Sequence, residues 1–243
     1  MSVQIVITYS SRMVSHARQI GVLGGTFDPI HNVHLLIARE AARAFDLDHV
    51  LFVPVGLPSH KPACGMAAAA DRCAMARLAT SSDPRFSVSL VDVRRPGPTY
   101  TVDTLLDIRR QYGPDTRLFF LAGADALAAL PTWHRSAELW SLAHIIGSSR
   151  IGHRLAHAGL PRQRLSLLPI PQLDISSTMI RARIRAQHPI DHLTPDAVVD
   201  YIEERGLYLE SGGCGAGGSV PAPLRSVSYR HHRPGPPGDQ QSL

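Results

Sequence analysis

Two histidines follow a glycine-rich segment in the first part of the chain. The segment Gly24–Pro29 leads to His31 and His34, which lie three positions apart. An apolar run at Ile20–Leu23 precedes the glycines, and a helical pattern begins at about Val33. At a strand–turn–helix junction, free backbone N–H groups and the helix dipole attract an anion. Side chains at this spacing can face one ligand, so the segment predicts a phosphate-binding site.

A metal site is the weaker interpretation of the same two histidines. The zinc pattern H-E-x-x-H is absent, and no third ligand stands nearby in the sequence. The spacings of a P-loop and of the G-x-G-x-x-G fingerprint are also absent. We therefore expect phosphate binding without a dedicated protein metal site.

Three hydroxyl side chains mark a second candidate phosphate site. Ser176, Ser177 and Thr178 stand at the start of a helical pattern, and Arg181 follows one turn later on the same face. Hydroxyls, free N–H groups and a planar guanidinium all suit phosphate oxygens. Serine and threonine are also ordinary helix caps, so this segment taken alone favours a capping role.

The elements that must position these residues alternate between strand and helix. Strands are predicted at 20–23, 50–55, 86–93, 118–122, 145–146 and 165–170, and helices at 33–45, 67–80, 102–112, 125–130, 177–186 and 197–205. Thr194 is a predicted cap of the last helix, and Gly206 its predicted stop. The alternation predicts an α/β fold, a Rossmann-like doubly wound parallel sheet with helices on both faces and a small C-terminal helical part.

Composition excludes several classes of protein. Of the 243 residues, 44% are hydrophobic and 19% are charged, which suits one sizeable globular domain. No apolar run approaches the roughly 20 residues of a membrane helix, and the first residues lack the pattern of a signal peptide. Three cysteines without a C-x-x-C pair exclude a disulfide scaffold and fit the reducing cytoplasm.

The net charge of +5 is concentrated at the two ends of the chain. Residues 1–19 contribute +2 and residues 211–243 another +2, so the sequence between them is close to neutral. This distribution argues against a core that binds nucleic acid. We predict a weakly patterned extension at 1–19, one domain at 20–210, and a disordered tail rich in Gly and Pro at 211–243.

Several further motifs accompany the two candidate phosphate sites. They are Pro58–Lys61, Thr99–Leu105, Gly123–Asp125 and Trp133. Together with the segments 24–34 and 175–181, the set resembles the bacterial nicotinate-mononucleotide adenylyltransferases, among the nucleotidyltransferases with an H-x-G-H signature. The resemblance spans about Ile20 to Leu209. One position departs from it, because Val33 stands where the family usually has glycine, and a β-branched side chain there could crowd the nucleotide.

The resemblance implies adenylyl transfer in NAD biosynthesis. The phosphate of nicotinate mononucleotide would attack the α-phosphorus of ATP, giving nicotinic acid adenine dinucleotide and pyrophosphate, with Mg²⁺ arriving on ATP. A phosphate oxygen is already nucleophilic at neutral pH, so the protein would act by positioning and charge stabilisation. The implied partners are these two substrates, with neither nucleic acid nor membrane, and a homo-oligomer is compatible with this prediction.

The resemblance also implies roles for individual residues. The catalytic group comprises His31, His34, Lys61 and Arg181. The ATP-binding group comprises Gly24, Gly25, Thr26, Phe27, His31, His34, Asp125, Ile175, Ser176, Ser177, Thr178 and Arg181. The group that binds the mononucleotide comprises Gly25, Thr26, Phe27, Lys61, Thr99, Tyr100, Thr101 and Trp133. Lys61 is the single lysine of the chain, and the indole of Trp133 suits stacking on a pyridine ring.

Alternative functions stay open on the sequence alone. A sister adenylyltransferase with another phosphate acceptor, such as phosphopantetheine, would share the ATP-side motifs but not the Tyr100–Leu105 segment and Trp133. A catalytically weak nucleotide-binding protein would fit the departure at Val33. A nucleic-acid binder acting through the arginine-containing tail is disfavoured by the nearly neutral core.

Overall fold

The computed structural model describes residues 17–58, 65–150, 161–171 and 173–209. Lys61, the predicted tail at 211–243 and all but the last residues of the predicted 1–19 extension lie outside this range. Among the helices described, none combines the length and the apolar character that crossing a membrane requires.

Six parallel strands form the central sheet. They are β1 (Gln19–Gly25), β2 (His49–Pro54), β4 (Phe86–Val88), β6 (Arg117–Ala122), β7 (His144–Arg150) and β8 (Leu165–Ile170). Two short strands, β3 (Leu57–Pro58) and β5 (Pro98–Thr99), pair separately. The order across the main sheet is β4-β2-β1-β6-β7-β8. The winding direction therefore reverses between β1 and β6, and doubly wound sheets bind ligands beyond the carboxyl ends of the strands at such a point.

Helices cover both faces of the sheet. They are α1 (Asn32–Ala44), α2 (Ala69–Thr80), α3 (Val91–Arg94), α4 (Thr101–Tyr112), α5 (Ala124–Ala129), α6 (Ser136–Leu142), α7 (Ser177–Arg185) and α8 (Asp196–Glu204). One hydrophobic core contains residues of α1, α2, α7 and α8, and a second contains residues of α4, α5 and α6. The predicted doubly wound α/β fold is confirmed.

The strands are apolar without interruption because the sheet is buried on both sides. In β2, Val50 and Phe52 belong to the first core, while Leu51 and Val53 belong to the second. Successive side chains of a strand point to opposite faces, and a strand covered on both faces therefore reads as a continuous apolar run.

Two local predictions are wrong. The strand predicted at 86–93 ends at Val88, and α3 follows, because Asp92 turns inward and accepts a hydrogen bond from Thr104 Oγ1 at 2.7 Å. Thr194 does not cap α8, whose N-cap is Pro195; its hydroxyl donates instead to the carbonyl of Ile30 at 2.8 Å.

Two other predictions about helix ends are confirmed. Ser176 caps α7 and accepts the N–H of Met179 at 3.2 Å. Gly206 follows α8 with a φ of 58°, which is the left-handed conformation of a helix stop.

Candidate active site

The glycine segment forms a tight turn where β1 ends at the switch point. Phe27 has a φ of 50° in this turn and is only 1% exposed. Its ring lies edge-on to the ring of His34, with centroids 5.1 Å apart, and tilted against Phe52 at 5.9 Å. The side chain of Phe27 is thus packed beneath the turn, between the rings of His34 and Phe52.

The two histidines form one unit at the start of α1. His31 is the N-cap, and its backbone N–H donates to Nδ1 of His34 at 3.1 Å. The two rings stack with centroids 3.7 Å apart. Because Nδ1 of His34 accepts this bond, the proton of the neutral ring lies on Nε2, which remains available as a donor.

Burial keeps both imidazoles neutral at pH 7. It lowers the pKa of His31 from 6.5 to about 4. Burial also holds the pKa of His34 well below its ordinary value, and the neighbouring His31 lowers it further. Nδ1 of His31 is buried and makes no hydrogen bond within the part of the chain that is described. Buried polar atoms are normally satisfied, so this nitrogen is an exception among the buried side-chain atoms that are described.

The second candidate phosphate segment lies directly against the glycine turn. Ser177 Oγ donates to the carbonyl of Pro29 at 2.9 Å. Arg181 donates through Nη1 to the carbonyl of Asp28 at 2.7 Å and through Nη2 to Thr178 Oγ1 at 3.4 Å. The amino end of α7 and the turn before α1 therefore form one continuous surface.

A cavity of about 240 Å³ opens on one side of the turn. Its walls include Gly24, Gly25, Thr26, Thr99, Tyr100, Thr101 and Trp133, all predicted from the sequence. Trp133 is half-buried, with its ring edge-on to Phe120 at 5.9 Å. The helix α4 begins at Thr101, so backbone N–H groups are available to a negatively charged ligand group.

A second cavity of about 310 Å³ is lined by residues of α1 and β7 and of the segments that follow β6 and β8. Val33, Asp125 and Ile175 line it, together with Ser148 of β7. The side chain of Val33 therefore forms part of the wall of a cavity, next to two residues predicted to bind ATP.

Several residues around the site were not predicted from the sequence. Asp92 and His134 line the 240 Å³ cavity. Tyr208 donates its hydroxyl to Asp28 Oδ1 at 2.8 Å, and burial raises the pKa of this hydroxyl far above its ordinary value. Arg72 is fully buried beneath the turn. Each of these side chains acts through its tertiary neighbours, so no local sequence pattern marks it.

The described residues contain no group of three or more His, Cys, Asp or Glu side chains arranged to hold a metal ion. Lys61, predicted as a catalytic residue and as a binder of the mononucleotide, lies outside the described ranges.

Comparison with known proteins gives consistent matches. The family model described as cytidylyltransferase-like matches residues 22–183. A protein of Acidothermus cellulolyticus named "Probable nicotinate-nucleotide adenylyltransferase" is 52% identical over 206 residues, covering 83% of this chain and 99% of the relative. A Streptomyces coelicolor protein of the same name is 54% identical over 186 residues, covering 76% and 98%.

The fold also matches solved structures. The Plasmodium falciparum nicotinic acid mononucleotide adenylyltransferase complexed with NaAD superposes with a TM-score of 0.62 at 20% identity, covering 79% of this chain and 97% of that one. At this identity the match shows a shared fold.

Proposed function

This chain belongs to the nicotinate-nucleotide adenylyltransferases of the cytidylyltransferase-like family, and from that premise we propose that it transfers the adenylyl group of ATP to nicotinate mononucleotide. An oxygen of the mononucleotide phosphate bonds to the α-phosphorus of ATP, and the bond from that phosphorus to the β-phosphate oxygen breaks. The products are nicotinic acid adenine dinucleotide, the precursor of NAD, and pyrophosphate.

One observation carries the proposal: the glycine turn lines one cavity, and Val33, which stands between the two histidines in the sequence, lines a second, separate cavity. The 240 Å³ cavity is lined by Tyr100 and Trp133, and the 310 Å³ cavity by Asp125 and Ile175. A reaction that joins two nucleotides needs two pockets whose phosphate ends meet. The turn supplies that meeting point, because its backbone N–H groups lie at the start of α1.

The triphosphate is held by the histidine pair and the start of α7. His34 offers Nε2–H, because its other ring nitrogen is occupied by the backbone of His31. The start of α7 adds the hydroxyl of Thr178, free backbone N–H groups and the guanidinium of Arg181 on the adjoining surface, while the hydroxyl of Ser177 ties α7 to the turn. These donors stabilise negative charge as it shifts towards pyrophosphate, and a phosphate nucleophile needs no separate base. Mg²⁺ bound to the ATP phosphates would neutralise part of the same charge.

The nicotinate ring occupies the 240 Å³ cavity. Trp133 presents a flat indole to the pyridine ring, while Thr99, Tyr100 and Thr101 provide hydroxyl and backbone N–H donors for the ring carboxylate. Asp125 and Ile175 accompany the adenosine in the other cavity. The ammonium of Lys61 completes the proposed set as a positive charge for the phosphates. We place the reaction in the cytoplasm, because three cysteines without a C-x-x-C pair fit a reducing compartment.

Turnover of ATP with a panel of acceptors tests the proposal. Pyrophosphate release and the dinucleotide product are followed with nicotinate mononucleotide, nicotinamide mononucleotide and phosphopantetheine. We expect the highest kcat/KM with nicotinate mononucleotide. A preference for phosphopantetheine would favour the sister enzyme instead.

A catalytically weak nucleotide-binding protein is the second candidate, because Val33 lines the cavity proposed for ATP in place of the glycine usual in the family. Calorimetric binding of ATP without product from any acceptor would favour this candidate. Turnover with nicotinate mononucleotide excludes it.

A further inference from the structure

Arg72 is a fully buried arginine. It lies in α2 with 0% of its side chain exposed and is the largest completely buried residue of the described chain. Arginine is seldom buried in this way, because removing a charge from water is costly unless hydrogen bonds replace the lost solvation. The hydrogen-bond partners of this guanidinium therefore indicate its role in the structure.

Those partners are backbone carbonyls of three different loops. Nη1 donates to Thr26 at 2.8 Å, Nη2 to Gly56 at 3.3 Å and Nε to Ala67 at 3.2 Å. Burial lowers the pKa of the Arg72 guanidinium, whereas the nearby carboxylate of Asp28 raises it. The planar fork of an arginine suits this arrangement, because its donors point in fixed, separate directions.

The bond to Thr26 fixes the direction of a peptide unit in the glycine turn. In a trans peptide the C=O and the following N–H point in opposite directions. The carbonyl of Thr26 faces Arg72, so the N–H of Phe27 faces away from it. Phe27 adopts a φ of 50°, a conformation that costs a residue with a side chain about 1–3 kcal/mol. Other contacts must therefore offset this cost and stabilise the peptide unit between Thr26 and Phe27.

The other two contacts join the same turn to its surroundings. The N–H of Gly56 donates to Thr99 Oγ1 at 3.2 Å, and Thr99 lines the 240 Å³ cavity. The N–H of Ala67 donates to Asp28 Oδ1 at 3.0 Å, within the turn itself. Arg72 thus holds the carbonyl side of two peptide segments whose N–H groups bind site residues.

We propose that Arg72 is a positioning residue for adenylyl transfer: by holding the carbonyl of Thr26, it aims the N–H of Phe27 at the phosphate that is transferred. This inference rests on the proposed function. The guanidinium itself touches no substrate, and its effect passes through the backbone of the turn.

Three variants separate positioning from simple stability. Arg72→Met keeps most of the volume but removes the three donors. Arg72→Lys keeps the charge and loses the fork. Met75→Ala is the matched control, since Met75 is fully buried one turn along the same helix and lines neither cavity. Melting temperature, kcat and both KM values are measured for each variant and for the wild type.

We expect kcat of Arg72→Met to fall about 10²-fold, as for the loss of one preorganised donor to transition-state charge. KM for the mononucleotide should change by less than about threefold. Met75→Ala should keep the kcat of the wild type, although its melting temperature falls by about as much as that of Arg72→Met. The kcat of Arg72→Lys should be nearer to that of Arg72→Met than to that of the wild type. Equal kcat values for Arg72→Met and Met75→Ala, or full recovery with lysine, would overturn the inference.

Failure of the proposed function gives a different result. In that case the wild type and Met75→Ala form no dinucleotide, and calorimetric binding of ATP takes over as the readout. Arg72→Met should then bind ATP about tenfold more weakly than Met75→Ala, which corresponds to one lost hydrogen bond to a charged group. Equal affinities would refute the positioning role without reference to turnover.

Discussion

The backbone N–H of His31 donates to Nδ1 of His34 across 3.1 Å, so the first turn of α1 itself orients the second imidazole. This contact leaves Nε2–H as the single donor of the neutral ring. The backbone of His31 therefore fixes which nitrogen of His34 carries the proton, while the rings of His31 and Phe27 pack against the imidazole.

His34→Ala should lower kcat by about 10²-fold, because it removes one preorganised donor to the charge that develops on the phosphates. His34→Asn is a second variant that separates the two contacts of the ring. Its side-chain oxygen can still accept the N–H of His31, but it has no group at the position of Nε2, so it should be equally slow. Steady-state kinetics and melting temperature are the measurements. Normal activity in either variant would refute the phosphate-site role.

His31 should make stability depend on pH. Its pKa is about 4 in the folded protein against an ordinary 6.5, so between these values the unfolded chain binds a proton that the folded chain does not. The free energy of unfolding is therefore highest above about pH 6.5 and falls as the pH drops towards 4, by up to about 3 kcal/mol.

Denaturant unfolding at about pH 5 and about pH 7 measures this loss. His31→Gln, which does not titrate, should reduce the difference between the two pH values. His188→Gln, at an exposed position, should leave it unchanged. The same pH dependence in His31→Gln and in the wild type would contradict the assignment to His31.

Val33→Gly should raise kcat/KM for ATP and slightly lower stability. The side chain of Val33 lines the cavity next to Asp125 and Ile175, so removing it widens the place proposed for adenosine. Glycine in a helix costs up to about 1 kcal/mol, whereas about 1.4 kcal/mol of transition-state binding is tenfold in rate. Val33→Ala removes the branch, has a higher helix propensity than valine, and should share the kinetic gain. No gain in either variant would show that Val33 does not crowd the nucleotide.

Trp133→Ala should raise KM for nicotinate mononucleotide by about tenfold and leave KM for ATP unchanged, since the lost ring faces only the 240 Å³ cavity. Trp133→Phe keeps an aromatic face, so its KM for nicotinate mononucleotide should lie between those of the wild type and of Trp133→Ala. Trp140→Phe is a control for aromatic packing, because Trp140 packs against the same core but lines neither cavity. An effect of Trp133→Ala on melting temperature alone would assign Trp133 to the core.

The glycine turn and the histidine pair can be predicted from their residues alone because they lie in one continuous segment, whereas Thr99–Thr101 and Trp133 are predicted only through the resemblance to a family. The glycines, His31 and His34 are neighbours along the chain, and a strand before them and a helix after them fix their geometry. The order of alternating strands and helices likewise predicts the doubly wound sheet, because each parallel strand needs a crossover to reach the next.

Long-range contacts explain what the sequence does not predict. Arg72 occupies a position in α2 that its sequence neighbours do not distinguish from a solvent-facing one, and only Thr26 and Gly56 give it a buried role. The segment after Val88 alternates like a strand, but the contact between Asp92 and Thr104 draws it into a helical turn. Short alternating patterns fit both structures, and tertiary contacts decide between them.

The contacts between the two ends of the domain set the order in which the site can form. Arg181 bonds a carbonyl 153 positions earlier, and Tyr208 bonds Asp28 across 180 positions. During synthesis the amino-terminal strands emerge first. The proposed phosphate-binding surface, however, forms only when α7 packs against the glycine turn, which is synthesised much earlier. Contacts this distant in sequence are slow to form. Recovery of activity during refolding should therefore lag behind recovery of the sheet, and activity reports the completion of folding at the C-terminal side.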